Sequence, residues 1–175
     1  MTVPILQKDA SVLRLVAVRV DPTEIRGQHI TETISAMREA LHVCDDGLAI
    51  AAPQIGISLQ IFVVAGRYFP SKKLGSETPD LVFINPTITK RSSRTSLMNE
   101  GCLSVRWLYG ETMRHEKVTI QAYNEAGKKI TSGASGLLAQ VFQHEIDHLN
   151  GILFIDTAHN LQEIVAKQET TEKDA

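Results

Sequence analysis

Cysteine is scarce in this 175-residue chain: Cys44 and Cys102 are the only two. Two thiols cannot build a disulfide framework, and a reducing compartment would keep both reduced. Cys44 is expected as a small buried hydrophobe. Excess charge is lacking as well. The formal net charge is -2, so no global field draws the chain to DNA, RNA or a membrane surface. The basic cluster Lys90, Arg91 and Arg94 is expected as solvated loop charge. No apolar run approaches the length of a transmembrane helix. The opening MTVPILQKDASVL has neither the charged start nor the apolar middle of a signal peptide. The expected location is therefore the cytoplasm. Internal repeats are missing, and low complexity is confined to the last residues.

What is present is an ordinary globular composition, 43% hydrophobic and 22% charged. It suits one domain over residues 1–175, with a frayed tail from about 168 to 175. Residues 21–47 predict a helix, with Asp21 as cap, Pro22 in the first turn and one face formed by Ile30, Ile34, Met37, Leu41 and Cys44. LQIFVVAG predicts a buried strand, and LVFINPTITK a strand broken at Asn85-Pro86. KVTIQAYNEAGKKI predicts a hairpin turning at Glu125-Ala126-Gly127. SGLLAQVFQHEIDHLNG predicts a second helix, capped by Ser135 and ended by Gly151. Leu161, Ile164 and Val165 suggest a final helix. The expected class is α+β, with mostly antiparallel short strands surrounding a central helix and further helices near each terminus.

The central helix carries HEIDH. Residues four apart share a helical face, so His144 and His148 point two ring nitrogens at one divalent ion. Glu145, one step round, is placed to act as a general base on water beside that ion. Two hydrogen-bonded core histidines would give the same spacing. A catalytic site normally has a third protein ligand. The long metzincin peptidase pattern is followed through Gly151, but Phe154 stands where its third His would be, and phenylalanine does not ligate. Glu169 and Glu172 are spaced as in gluzincin peptidases, yet they lie in a polar tail. The third ligand is therefore sought upstream, among Cys102, His115 and several carboxylates.

Three ordered motifs then carry a resemblance. GLAIAAPQIG (47–56), EGCLS (100–104) and QHEIDHLNG (143–151) together resemble the peptide deformylase family, in its shorter bacterial or organellar form. The resemblance implies removal of the formyl group from formyl-methionyl nascent peptides. It implies Cys102, His144 and His148 as ligands of one divalent metal ion, expected to be Fe²⁺, with Zn²⁺, Ni²⁺ or Co²⁺ as substitutes. It further implies Glu145 as acid and base, and the Gln54 amide and Leu103 N–H as oxyanion donors. Gly47, Leu48 and Ala49 become a strand that pairs with extended substrate. Leu137 and Val141 are candidates for the wall of a methionine pocket, with Leu48 near its entrance. Plain core packing would also explain those apolar residues.

The chain departs from the family pattern at Ala49, where a Gly is usual, and at Arg106, Trp107 and Tyr109 after EGCLS. These positions bear on substrate preference. Family members can dock to the ribosome through a C-terminal helix. The stretch NLQEIVAKQETTEKDA has two Lys against four acidic residues, which gives such docking no support. Two other functions remain to be tested: a deformylase-like peptide-binding protein that has lost catalysis, and a metallopeptidase.

Overall fold

The computed structural model describes residues 3–68 and 78–164. In chain order the elements are α1 (Gln28–His42), β1 (Ala49–Ala51), β2 (Ile61–Val64), β3 (Leu81–Arg91), β4 (Thr95–Gly101) and β5 (Leu108–His115). There follow β6 (Lys117–Tyr123), β7 (Lys129–Ser135), α2 (Gly136–Leu149) and β8 (His159–Glu163). Two sheets form, in the orders β1-β2-β3-β6-β7 and β4-β5-β8. Every pairing between these named strands is antiparallel. The class is α+β as expected.

Strand alternation divides the larger sheet between two cores. On β2, Ile61 and Val63 face a cluster with Ile30, Ile34, Met37 and Leu41 of α1. Phe62 and Val64 face the other way, onto Ala139, Val141 and Phe142 of α2. Both faces are thus covered, which is why LQIFVV shows no polar alternation. Phe62, Phe83 and Phe142 join sheet to helix through ring centroids 4.8, 5.0 and 5.9 Å apart. A third cluster of Leu13, Val105, Leu153 and Phe154 lies against Cys102. Cys44 is only half-buried, beside the α1 core.

Three expectations need correction. The first helix begins at Gln28, not near Asp21. Gly27 is extended there, and the Asp21 carboxylate instead accepts the Thr23 N–H and hydroxyl in a local turn. The strand across Asn85-Pro86 is continuous; a register shift between Ile84 and Thr87 absorbs the proline. Asn85, at φ 52°, turns its amide onto both backbone groups of Val20. The final helix is absent over Leu161 and Ile164. His159–Glu163 is a strand, with Gln162 opposite Tyr109 of β5, and the Ile164 N–H donates to the Trp107 carbonyl. Val165 and the tail expected to fray lie outside the described residues.

Candidate active site

Cys102 follows the last residue of β4, where the chain leaves the sheet in a turn closed by the Val105 N–H on the Cys102 carbonyl at 3.0 Å. The turn aims its sulfur at α2. Cys102 Sγ lies 3.1 Å from His148 Nε2. One donor atom each from Cys102, His144 and His148 fall within 4.8 Å of one another. The helical period brings the two rings together, their centroids 4.9 Å apart. The other upstream candidate, His115, is not among the clustered donors; its Nδ1 meets the Ser92 carbonyl at 2.7 Å.

Glu100 was not singled out from the sequence. It lies on β4, two residues before Cys102, and is buried. Its Oε2 accepts from His144 Nδ1 at 3.0 Å, which leaves His144 Nε2 for the cluster. Arg114 of β5 clamps the same carboxylate with two hydrogen bonds of 2.6 and 3.0 Å. It also reaches Asp147 on α2. Burial would raise the Glu100 carboxyl, but hydrogen bonds from His144 and Arg114 outweigh it and draw the pKa down to about 2. The sequence signal for this network was a carboxylate two residues before a ligand candidate; Arg114 and Asp147 carry no such mark.

Glu145 is 3% exposed, and its Oε2 has no hydrogen-bond partner among the described residues. Burial pushes its carboxyl up to about 7; Glu100 adds to the rise and His144 opposes it. Burial lowers the His148 ring well below the ordinary range. In His144 burial also acts downward, but hydrogen bonds to Cys102 and Glu100 prevail and raise it.

Gln54 is 1% exposed. Its Oε1 accepts the Ala51 N–H at 2.7 Å, fixing the amide's orientation. Its Nε2 donates to Ser104 Oγ at 3.1 Å and faces Cys102 Sγ at 3.6 Å. The Ser104 N–H points at the same sulfur, at 3.4 Å. The Leu103 N–H donates to no acceptor among the described residues, while its carbonyl takes the Gln7 side-chain amide at 3.0 Å.

These groups open into a cavity of about 260 Å³ lined by Gln54, Cys102, Leu103, His144 and Glu145. Leu48, Ala49, Leu137 and Val141 line it too. Gly47 does not; it packs against α1, where an added Cβ would stand 2.9 Å from Leu41. Of the departing residues, Arg106 and Tyr109 line the cavity and Trp107 does not. Arg106 makes two hydrogen bonds to Asp46, at 2.5 and 3.0 Å, and lies over the Trp107 ring. Gly101 leaves room for the Tyr109 ring, which an added Cβ would meet at 2.6 Å.

The donor set suits one divalent cation. Tetrahedral ligation at bonds of ~2.0–2.3 Å needs donor atoms ~3.5 Å apart, a small adjustment from the observed cluster. The buried, unpartnered Glu145 Oε2 beside it is the mark of a site that orders something further. The sequence model of the polypeptide deformylase family matches residues 2–163.

The chain belongs to the peptide deformylase family.

It is 42% identical over 135 residues to peptide deformylase 2 of Clostridium acetobutylicum, covering 77% of this chain and 83% of that one. To the peptide deformylase of Agrobacterium fabrum it is 38% identical over 160 residues, covering 86% and 90%. Among solved structures, a class I type b peptide deformylase from Acinetobacter baumannii with Met-Ala-Ser bound superposes with a TM-score of 0.79 at 33% identity, over 90% of this chain and 98% of that one. A Synechococcus elongatus peptide deformylase in complex with actinonin gives 0.77 at 35% identity, over 90% and 79%. The protein is thus a metal-dependent hydrolase of protein biosynthesis, removing the N-terminal formyl group from formyl-methionyl peptides. Among the described residues no helix is long and apolar enough to cross a membrane.

Proposed function

We propose that Cys102, His144 and His148 hold one divalent cation, and that Glu145, Gln54 and the Leu103 N–H carry deformylation beside it. The carrying observation is the convergence of the Cys102 sulfur with two α2 imidazoles, Cys102 and His144 lining the cavity and His148 buried behind them. Bound there, the cation would supply Lewis acidity and lower the pKa of a water. Fe²⁺ is the ion expected from the family; thiolate and imidazole suit Zn²⁺ equally, and Ni²⁺ or Co²⁺ also fit.

Glu145 takes a proton from water on its carboxylate and returns it to the nitrogen of the departing amine. Burial disfavours its charged form, the direction that suits a carboxyl group that must carry a proton for part of the cycle. Gln54 Nε2 and the Leu103 N–H hold the charge that develops on the formyl oxygen. The amide is already oriented by Ala51 and Ser104, so little reorganisation accompanies the reaction. Glu100, clamped by Arg114, orients His144.

Leu48 and Ala49 present the backbone of a sheet edge to the cavity, β1 being paired on one side only. An extended peptide can add there as a strand, with recognition that is largely independent of its sequence. Gly47 sits behind this edge and lets it approach α1. Leu137 and Val141, one helical turn apart, form the wall that receives the methionine side chain, with Leu48 at the entrance. The site of action is the cytoplasm. Ribosome docking has no support in the acidic tail.

The test is anaerobic purification, metal analysis and an assay on formyl-, acetyl- and unblocked Met-Ala-Ser. Selective release of formate, with about one metal ion per chain, is expected. Tight formyl-peptide binding without turnover of any formyl-peptide would assign a binding role instead. Glu145→Ala should retain the metal and lose ~10²–10⁴ in kcat; full activity in that variant removes Glu145 from the proposed role.

A further inference from the structure

A polar recess adjoins the catalytic cavity. Asn99 and Tyr109 line both. The recess continues over the exposed face of the β4-β5-β8 sheet to Glu111, Asn160 and Gln162. The register explains the grouping. Asn99 pairs with Glu111, and Tyr109 with Gln162. Strand alternation then puts these side chains on the face opposite buried Glu100 and Arg114. Asn160, at φ 52°, donates its amide to Glu111 Oε2 at 2.6 Å.

The geometry points to this recess as an extended subsite for the nascent chain beyond its first residues, one that favours basic side chains. The inference rests on the cavity being the deformylation site. With the formyl end placed between Gln54 and Glu145, the rest of a polymeric substrate must leave the cavity. The Asp46–Arg106 ion pair joins the β1 side of the cavity to the turn after Cys102, whereas the Asn99–Tyr109 rim opens directly into the recess. Its three amides both donate and accept, so they can bond any peptide backbone. Among the described residues its one carboxylate is Glu111, and no Lys or Arg lines it. The electrostatic preference is therefore for a cation.

Competing formyl-Met-Ala-Ser-Lys-Lys-Lys against formyl-Met-Ala-Ser-Glu-Glu-Glu tests this without assuming which position meets Glu111. The basic peptide should have a kcat/KM higher by about three- to fivefold, the scale of one partly screened ion pair. The ratio should shrink as salt is raised and fall close to one in Glu111→Gln. Equal rates in the unaltered enzyme overturn the subsite, as does a ratio that Glu111→Gln leaves intact. Turnover of formyl-Met-Ala-Ser itself reports on the catalytic assignment, so the two ideas fail separately.

Discussion

Gln54 shows how much one buried amide is asked to do. Its oxygen is committed to Ala51 and its nitrogen spans Ser104 and Cys102. Gln54→Ala should lower kcat by ~10²–10³, with KM for the formyl-peptide changing far less, because the lost donor acts on charge that appears only in the transition state. Steady-state kinetics on formyl-Met-Ala-Ser measure both quantities. Glu100 works through another residue. Glu100→Gln cannot hold His144 and Arg114 as a carboxylate does, and metal affinity should fall by ~10- to 100-fold while the fold persists. A chelator competition read by metal release tests that. Arg114→Ala should instead destabilise the protein by ~3–5 kcal/mol in urea unfolding, since it leaves Glu100 buried without its main cation.

At the scale of elements, α2 is both core and catalytic support. Phe142 and Leu149 anchor it to the aromatic cluster and neighbouring apolar residues, while His144, Glu145 and His148 face the site. Its end is set by Gly151, which has φ 73°. An added Cβ there would stand 2.7 Å from the Arg14 backbone. Gly151→Ala should cost about 2 kcal/mol or more, through left-handed strain and this clash. Comparison of urea midpoints checks it. Phe154, where a third histidine would make a peptidase-like ligand set, is instead buried with Leu153 and Val105. β8 is the contrary case: all five of its residues are exposed, and pairing to β5 rather than burial specifies it.

The whole molecule joins two sheets through the proposed ligands, Cys102 at the end of one and α2 packed on the other. A cation bound only by the folded chain adds stability by mass action, about 2.7 kcal/mol at a hundred times its Kd. Stripping the metal should therefore lower Tm by several degrees, and re-addition should restore it in a concentration-dependent way; a calorimetric titration measures this. A separate pH dependence arises at the Arg14–Asp156 pair. Burial would raise the Asp156 carboxyl, but Arg14 and the Leu153 N–H outweigh it and hold it below its ordinary 3.8. The ionised form is thus favoured by folding. This contribution is complete above the unfolded pKa and disappears as pH falls through the lower folded value. The pair is partly exposed, so its worth is only ~0.2–1 kcal/mol. Asp156→Asn should narrow the stability difference between pH 6 and pH 3 by up to that amount in denaturant titrations.

Local rules were enough for the parts that depend on neighbours in the chain. The four-residue step from His144 to His148 is dictated by the helical period, and the Glu125–Gly127 turn by its hairpin chemistry. The three motifs also brought Cys102 and Gln54 forward through family resemblance. Geometry alone had left Cys102 and His115 both open, because their distance from α2 in space depends on how β4 and β5 pack. The same holds for Arg114, whose role exists only where two elements meet. Leu161 and Ile164 were spaced for a helix, but so short a pattern has little energy of its own, and hydrogen bonds to the open edge of β5 made it a strand. The amino-acid order by itself determined the helical histidine pair, the buried strand over LQIFVVAG and the family. Tertiary structure alone decided which sulfur meets those histidines, which carboxylate steadies them and where the cavity opens, because each depends on contacts between residues remote in sequence.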